Sequence, residues 1–348
     1  GEAFFGLGSA EVTAPLVLEA GRKVEVMVEY SSEGSIAMYG AQVGLRPPPT
    51  DDLIDRAVNA ASWADAAVVV VGTDEDWETE GRDRASMHLP GEQAELVRRV
   101  AAANPRTVVV VNAGSPVTMD WADEVPAVLV AWFGGQEMAD ALVDVLTGES
   151  DPGGRLPTTF PKRLEDTPAF LNYPGENGRV LYGEGVFVGY RWYDARQVSV
   201  AFPFGHGLSY TRFSFGEPSV DRSSIPANGG EVTIALDVTN DGARAGDEVV
   251  QLYMRDPVAS VSRPVQQLRG FRRVTLQPGE TKRVSFTLSA DQFALWSREG
   301  EWVIEPGEIE LMVGSASDDI RGRVSVTIDG TGRGSIAPAA IPTRSKVQ

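Results

Sequence analysis

The sequence predicts a chain of two main parts: an α/β unit on a mostly parallel sheet, then an all-β sandwich. Three observations predict this. Between residues 50 and 165, runs of β-branched residues such as Val68-Val-Val-Val71 alternate with stretches of helical period. From 214 to 330, seven runs of strand character follow one another at regular spacing. A length of 348 residues is too long for one ordinary domain and suits two or three.

The elements follow in order. Ala14–Leu18, Lys23–Tyr30 and Ala41–Leu45 have strand character, and Lys23–Tyr30 alternates polar with apolar residues as a half-buried antiparallel strand does. Two or three strands rarely stand alone, so residues 1–46 are expected to need partners, earlier in sequence or on another chain. Gly1 is not a native start, so the true N-terminus is expected to lie upstream. Pro47-Pro-Pro49 reads as a stiff linker. Asp51–Ala64 places Leu53, Ile54, Ala57, Val58 and Ala61 on one helical face. A buried strand over 66–71 comes next. A helix over Gly91–Ala103 ends at Asn104-Pro105. Arg106–Asn112 and Ala127–Trp132 are two further buried strands, and Gly134-Gly135 opens a helix over 136–147 that Gly148 stops. Such alternation implies a parallel sheet with helices on both faces.

This α/β unit takes 47–165. Residues 166–213 read as an ordered, irregular wrap, because disordered segments avoid aromatics and this one holds Tyr190-Arg-Trp-Tyr193 and Phe202-Pro-Phe204. In 214–330 the strand candidates are Val232–Asn240, Val249–Asp256, Leu268–Leu276, Lys282–Leu288, Gly300–Ile304, Gly307–Ser315 and Arg321–Ile328. That spacing suits a sandwich of immunoglobulin or fibronectin type III kind. Residues 331–348 read as a loose tail.

Composition excludes several functions. The net charge of −18 argues against nucleic acid and anionic membrane as partners. The chain has no cysteine, which removes disulfides, thiolate catalysis and cysteine metal sites. Only His88 and His206 are present, so a multi-histidine metal site is out. No apolar run approaches the roughly 20 residues of a membrane-spanning helix, and no signal peptide is visible. Nothing here fixes a compartment. A homo-oligomer is left open.

The chemistry concentrates after the first strand. From Asp74 to Arg84 the chain carries six carboxylates, two arginines and Trp77. In an open α/β sheet, ligands bind at the loops beyond the carboxyl ends of strands. Clustered carboxylates raise one another's pKa, and an acid poised near neutral pH can protonate a leaving group. The plainer reading is a solvated acidic face. Arg82, Asp83 and Arg84 favour the first, since they can brace a glutamate, and Gly81 permits a tight turn. Calcium at Asp74, Asp76 and Glu78 fits the spacing but lacks the full calcium-loop pattern. Gly134-Gly135 could hold phosphate at a helix N-terminus. No nucleotide-binding fingerprint accompanies it, and packing is the better reading. His206 and His88 read as structural hydrogen-bonding groups.

Longer motifs then carry a resemblance. Val71-Gly72-x4-Trp77-Glu-x-Glu80-Gly-x-Asp83-Arg84-x4-Leu89-Pro-Gly-x-Gln93 resembles the C-terminal α/β domain of glycoside hydrolase family 3, the β-glucosidase family. The run Trp132-x-Gly134-Gly-Gln136 through Asp151-Pro-x-Gly154-Arg155-Leu-Pro resembles it too, as do Tyr182-x-Glu184-Gly and Phe202-Pro-Phe-Gly205-His-Gly-Leu-Ser-Tyr210. Arg269-Gly-Phe271 and Leu276-x-Pro-Gly279-Glu extend it into a fibronectin-like domain. The match spans roughly 50–330. More weakly, residues 1–46 resemble the closing strands of a protective-antigen-like sandwich inserted in some members, and so the remnant of another β-sandwich.

The resemblance implies retaining hydrolysis of terminal β-linked sugars with no cofactor and no metal. One carboxylate is nucleophile and one is acid/base, about 5–5.5 Å apart. The family's nucleophile lies on a (β/α)8 barrel, and about 250 further residues do not fit beside the units above. This chain is expected to supply the acid/base only. Glu80, directly before the glycine, is the first choice and Glu78 the second. Asp83 and Arg84 would brace the loop, and Trp77 and Arg82 would contact substrate. The alternatives are β-xylosidase or a related exo-glycosidase, or a non-catalytic carbohydrate-binding or scaffold module.

Overall fold

A computed structural model of the chain describes residues 12–29, 43–45, 51–81, 83–334 and 337–348. Arg82, Tyr30 and residues 41–42, all part of the sequence expectations, lie outside that set. Within 12–29 and 43–45 no strand pairing forms and every residue is exposed. The strands expected there have no ladder among the described residues, in line with the need of so short a piece for partners.

The α/β unit begins with α1 (Leu53–Ser62), followed by β1 (Ala67–Gly72), α2 (Gln93–Ala103), β2 (Thr107–Asn112), β3 (Ala127–Val130) and α3 (Met138–Thr147). The three strands pair in parallel in the order β1-β2-β3, with Val71 beside Val111 and Val111 beside Val130. Alternate side chains of a strand face opposite sides. Val69, Val71, Val109 and Val111 turn to the side of Ala61, Val97 and Val100 from α1 and α2, and form one core with them. Asn104 ties this layer together. Its side-chain amide donates to the Ala61 and Ala64 carbonyls at 3.0 and 2.9 Å and its Oδ1 accepts from the Arg106 N–H. Helix end, helix end and strand start are thereby fixed by one residue.

The opposite face differs from the expectation of helices on both sides. Val68 and Val70 are 53 % and 62 % exposed, and α3 has no fully buried residue. Only α1 and α2 complete a layer; β1 is left bare on the other side.

Near the end of the 47–165 stretch comes β4 (Phe160–Pro161), and the wrap adds α4 (Tyr190–Arg196) and β5 (Val200–Phe202), with β4 pairing with β5. The wrap includes a short helix that the sequence pattern did not isolate. Next come β6 (Phe213–Phe215), β7 (Ser219–Val220), β8 (Ser224–Pro226), β9 (Glu231–Asn240), β10 (Gly246–Arg255), β11 (Gln267–Leu276) and β12 (Thr281–Ser289). The last are β13 (Leu295–Trp296), β14 (Trp302–Ile304), β15 (Gly307–Ala316), β16 (Asp319–Asp329), β17 (Gly332–Arg333) and β18 (Arg344–Val347). One sheet runs β11-β10-β15-β16-β8 and faces a second, β18-β12-β9-β6, with β7 also on β9. Inward residues such as Val232, Ile234, Leu236, Leu252, Phe286 and Leu311 are fully buried between them.

Two sandwich expectations need correction. The run Gly300–Ile304 forms only the short β14, which pairs with β13 and β17 outside the two main sheets. Residues 331–348 are not a loose tail. β18 pairs antiparallel with β12, Val347 beside Val284 and Arg344 beside Thr287. An edge strand of charged and polar residues guards an open sheet edge, which is why its sequence lacks a core-strand signature.

A buried joint links the two parts. Arg155 Nη2 lies 2.8 Å from Glu248 Oε1, with both side chains almost wholly buried. Asp151 accepts from Ser209 Oγ at 2.7 Å, from the Tyr210 N–H at 2.8 Å and from the Asp247 N–H at 3.0 Å. A Cβ on Gly207 would stand 2.5 Å from the Gly154 carbonyl oxygen, so only glycine lets these segments meet. His206 sits in the same joint, stacked on Phe202 at 5.4 Å, and burial holds its pKa below the ordinary value.

Candidate active site

The acidic loop leaves β1 at Gly72. A Cβ there would fall 1.9 Å from the Asn112 carbonyl oxygen, so the close approach of β1 and β2 at this end requires glycine. The Gln93 side chain clamps the same peptide from α2. Its Oε1 accepts from the Gly72 N–H at 2.7 Å and its Nε2 donates to the Gly72 carbonyl at 3.0 Å. Asp74 then shapes the turn. Its Oδ1 accepts from the N–H groups of Asp76 and Trp77 at 3.1 and 3.2 Å, and its carbonyl accepts from the Glu78 N–H at 2.8 Å. This is the usual work of an aspartate opening a turn.

The two glutamates differ sharply in environment. Glu78 turns inward. Its Oε1 accepts from Thr73 Oγ1 at 2.8 Å and from Arg84 Nη1 at 3.3 Å. Arg84 also donates to Ser115 Oγ at 2.9 Å and to the Pro116 carbonyl at 2.6 Å, so it pins the loop to the segment after β2. Burial lowers the Arg84 pKa, and the neighbouring Glu78 charge pulls it back up. A Cβ on Gly114 would lie 2.6 Å from Glu78 Oε2 and 2.7 Å from the Phe133 ring, so Gly114 makes the space that Glu78 occupies. Glu80 lies exposed two residues on, with no hydrogen bond or ion pair to a described residue.

The other expected site residues fall around this pair. Trp77 is half-buried, and its Nε1 is buried without a hydrogen-bond partner among the described residues. Asp83 is exposed and accepts a short hydrogen bond from the Tyr173 hydroxyl, which brings the wrap back onto the loop. That carboxylate raises the Tyr173 pKa through the hydrogen bond. The carboxylates proposed for calcium do not converge: Asp74 serves backbone N–H groups and Glu78 serves Arg84 and Thr73. Among the described residues no group of three or more carboxylates and histidines could hold a metal ion. His88 is 2.7 Å from Thr118 through Nδ1, and Gly134 packs against Met138, both structural placements.

Sequence reasoning missed Thr73, Ser115 and Tyr173 as parts of the site. Only Gln93 stood in a quoted motif, without a role. Ser115 and Tyr173 are single polar residues whose partners lie 31 and 90 positions away, and Thr73 meets Glu78 only through the irregular turn between them.

The profile of the glycosyl hydrolase family 3 C-terminal domain matches residues 2–210. The chain belongs to glycosyl hydrolase family 3. A fibronectin type III-like domain matches residues 248–317, within the sandwich. A β-glucosidase of Rhizobium radiobacter is 42 % identical over 335 residues, covering 94 % of this chain and 41 % of that protein. A β-glucosidase of Kluyveromyces marxianus is 44 % identical over 326 residues, covering 91 % of this chain and 38 % of the relative. The crystal structure of β-glucosidase from K. marxianus in complex with glucose superposes with a TM-score of 0.78 at 41 % identity, over 83 % of this chain and 34 % of that one. The family 3 β-glucosidase of Bifidobacterium adolescentis gives 0.77 at 40 % identity, over 82 % and 42 %. The chain thus spans about two fifths of the length of the curated relatives it matches.

Proposed function

We propose that this chain is the C-terminal portion of a retaining exo-β-glycosidase, a β-glucosidase, and that Glu80 is its general acid/base. The contrast between the two glutamates carries this reading. An acid/base must be free to give a proton to the leaving oxygen and then take one from water. Glu78 is committed to Thr73 and Arg84; Glu80 is exposed on the loop that Arg84 anchors. The β-glucosidase names of the relatives favour glucose as the terminal sugar. Trp77, on the same loop as Glu80, offers a flat face for the leaving group. Arg82 is the second substrate contact, and Asp83, held by Tyr173, braces the loop.

In this reading the nucleophile comes from a (β/α)8 barrel outside the present sequence, and the substrate is a β-linked glycoside. Residues 1–46 belong to the same proposal as the closing strands of an inserted sandwich.

The test joins this chain to the barrel portion of a family 3 β-glucosidase, as one polypeptide or as two coexpressed pieces checked by intact mass. Glu80→Gln is expected to slow hydrolysis of alkyl β-glucosides by about 10²–10⁴, while activated aryl β-glucosides keep most of their glycosylation rate. Equal loss on both substrates, or that selective pattern in Glu78→Gln instead, would overturn the assignment.

A further inference from the structure

Between the α/β unit and the sandwich, residues 169–189 run on without one of them being fully buried. Phe170, Leu171, Tyr173, Val180, Leu181 and Tyr182 are all exposed, Leu171 at 90 %, Tyr182 at 81 % and Leu181 at 70 %. The backbone hydrogen bonds of the stretch join residues no more than four positions apart, such as the Glu176–Arg179 pair at 3.0 and 2.9 Å. So exposed a stretch gains almost nothing from burial to set against the entropy of ordering it. Contiguous apolar surface of this kind on a soluble protein marks an interaction site.

The chemistry of the surface narrows the occupant. In a chain of net charge −18, residues 169–188 carry only Glu176, Glu184 and Arg179. Sparse charge with exposed aromatics suits the core of a protein–protein interface. The cleft among Tyr173, Val180, Leu181 and Tyr182 holds about 170 Å³. That is below the roughly 300–1,000 Å³ of small-molecule sites and suits one anchoring side chain of a partner.

Position narrows it further. One side-chain hydrogen bond ties the stretch to the α/β unit: the Tyr173 hydroxyl donates to Asp83, three residues beyond Glu80. A partner that brings a nucleophilic carboxylate to about 5–5.5 Å from an acid/base on this loop must lie against the loop and against what is fastened beside it. The curated β-glucosidases extend well beyond the two fifths of their length that this chain matches, which is ample chain to cover such a surface.

We propose that the exposed apolar surface of residues 170–182, with the Tyr173–Asp83 bond at its inner edge, is the docking surface for the barrel portion that carries the nucleophile. The inference rests on the barrel reading given above and adds to it the face that the barrel covers.

The test uses this chain and the barrel portion of a family 3 β-glucosidase, both as two coexpressed pieces and as one polypeptide. Amide hydrogen exchange over 169–188 should slow on the order of tenfold or more in the joined polypeptide relative to the chain alone. The double variant Leu171→Asp, Tyr182→Ser alters two side chains exposed to solvent, so the melting temperature of the chain alone should stay that of the parent. Its affinity for the barrel portion should fall on the order of thirtyfold, while Glu80→Gln should bind as the parent does. The proposal is overturned if exchange over 169–188 is the same in both settings, if the parent pieces do not associate, or if the double variant binds the barrel portion like the parent. It is also overturned if the chain alone sediments as a dimer that the double variant dissolves, which would give the surface to a second copy. Any of these with an active joined polypeptide removes this proposal and leaves the glycosidase reading standing. An inactive joined polypeptide whose pieces still associate through this surface does the reverse.

Discussion

The sandwich and the α/β unit bury their apolar residues to very different degrees. In β9, Val232, Ile234, Leu236 and Val238 are all fully enclosed between two sheets. In β1, Val69 and Val71 are buried, while their neighbours Val68 and Val70 are more than half exposed. An antiparallel sheet can leave one face to water, and its outward residues are then polar. A parallel sheet carries apolar residues on both faces because both are normally covered. The sandwich therefore closes its own core within the described residues, and the unit that carries the acidic loop leaves one face of β1 open, although Val110 of β2 on that same face is buried. The loop hangs from the less complete partner, and what stabilises it there is polar: the Gln93 clamp on Gly72 and the Arg84 anchor.

The contrast can be broken by mutation. The largest effect is expected in the sandwich. Phe286→Ala removes a fully buried ring and should cost about 4 kcal/mol, read as a shift in the denaturant midpoint. A loss below about 1 kcal/mol would mean that this core is far looser than its burial indicates. Next comes the joint. Arg155→Met leaves Glu248 buried without its cation and should cost about 3 kcal/mol. It should also uncouple the two parts, so that fluorescence and circular dichroism no longer report one transition. A single unchanged transition would show that the joint contributes little.

Smaller effects belong to the α/β side and its border. Gly114→Ala drives a Cβ into Glu78 and Phe133 and should cost about 1–2 kcal/mol. Its crystal structure should show Glu78 displaced from Arg84; an undisturbed pair would mean that the loop yields elsewhere. Asp194 gives a pH signature. Its folded pKa of about 6 lies above the ordinary value of 3.8, so the folded state holds the proton more tightly than the unfolded one. Stability from this group is full below about pH 4 and is lost as the pH rises through 6. The slope is below the about 1.4 kcal/mol per pH unit that one whole proton allows. Asp194→Asn should flatten that slope in urea titrations from pH 4 to 7, and an unchanged slope would place the titration elsewhere. The smallest effect is expected on the bare face, where Val70→Thr should change stability by no more than about 0.5 kcal/mol. A loss comparable to Phe286→Ala would show that this face is covered in solution.

Most of the fold was legible in the sequence. The helix and strand bounds of the α/β unit match the expected ones to within a few residues, because 3.6- and 2-residue periods are written in neighbouring positions. The six main sandwich strands were legible for the same reason. β18 was not, since Arg344-Ser-Lys-Val347 becomes a strand only through its pairing with β12. The acidic loop and its two candidate glutamates were equally visible as composition. Which glutamate is held and which is exposed was not.

The sequence by itself therefore determined the order of elements, the family and the loop that is the candidate for the chemistry. Tertiary structure decided that Glu78 is tied to Thr73 and Arg84, that Tyr173 reaches Asp83, that Arg155 meets Glu248, and that the buried Thr159 hydroxyl has no partner among the described residues. Local periodicity reflects forces between residues a turn or a pleat apart. Two of these contacts join residues 90 and 93 positions apart, the two at Glu78 depend on how an irregular turn closes, and the unpaired hydroxyl depends on what fails to reach it. No local pattern records either.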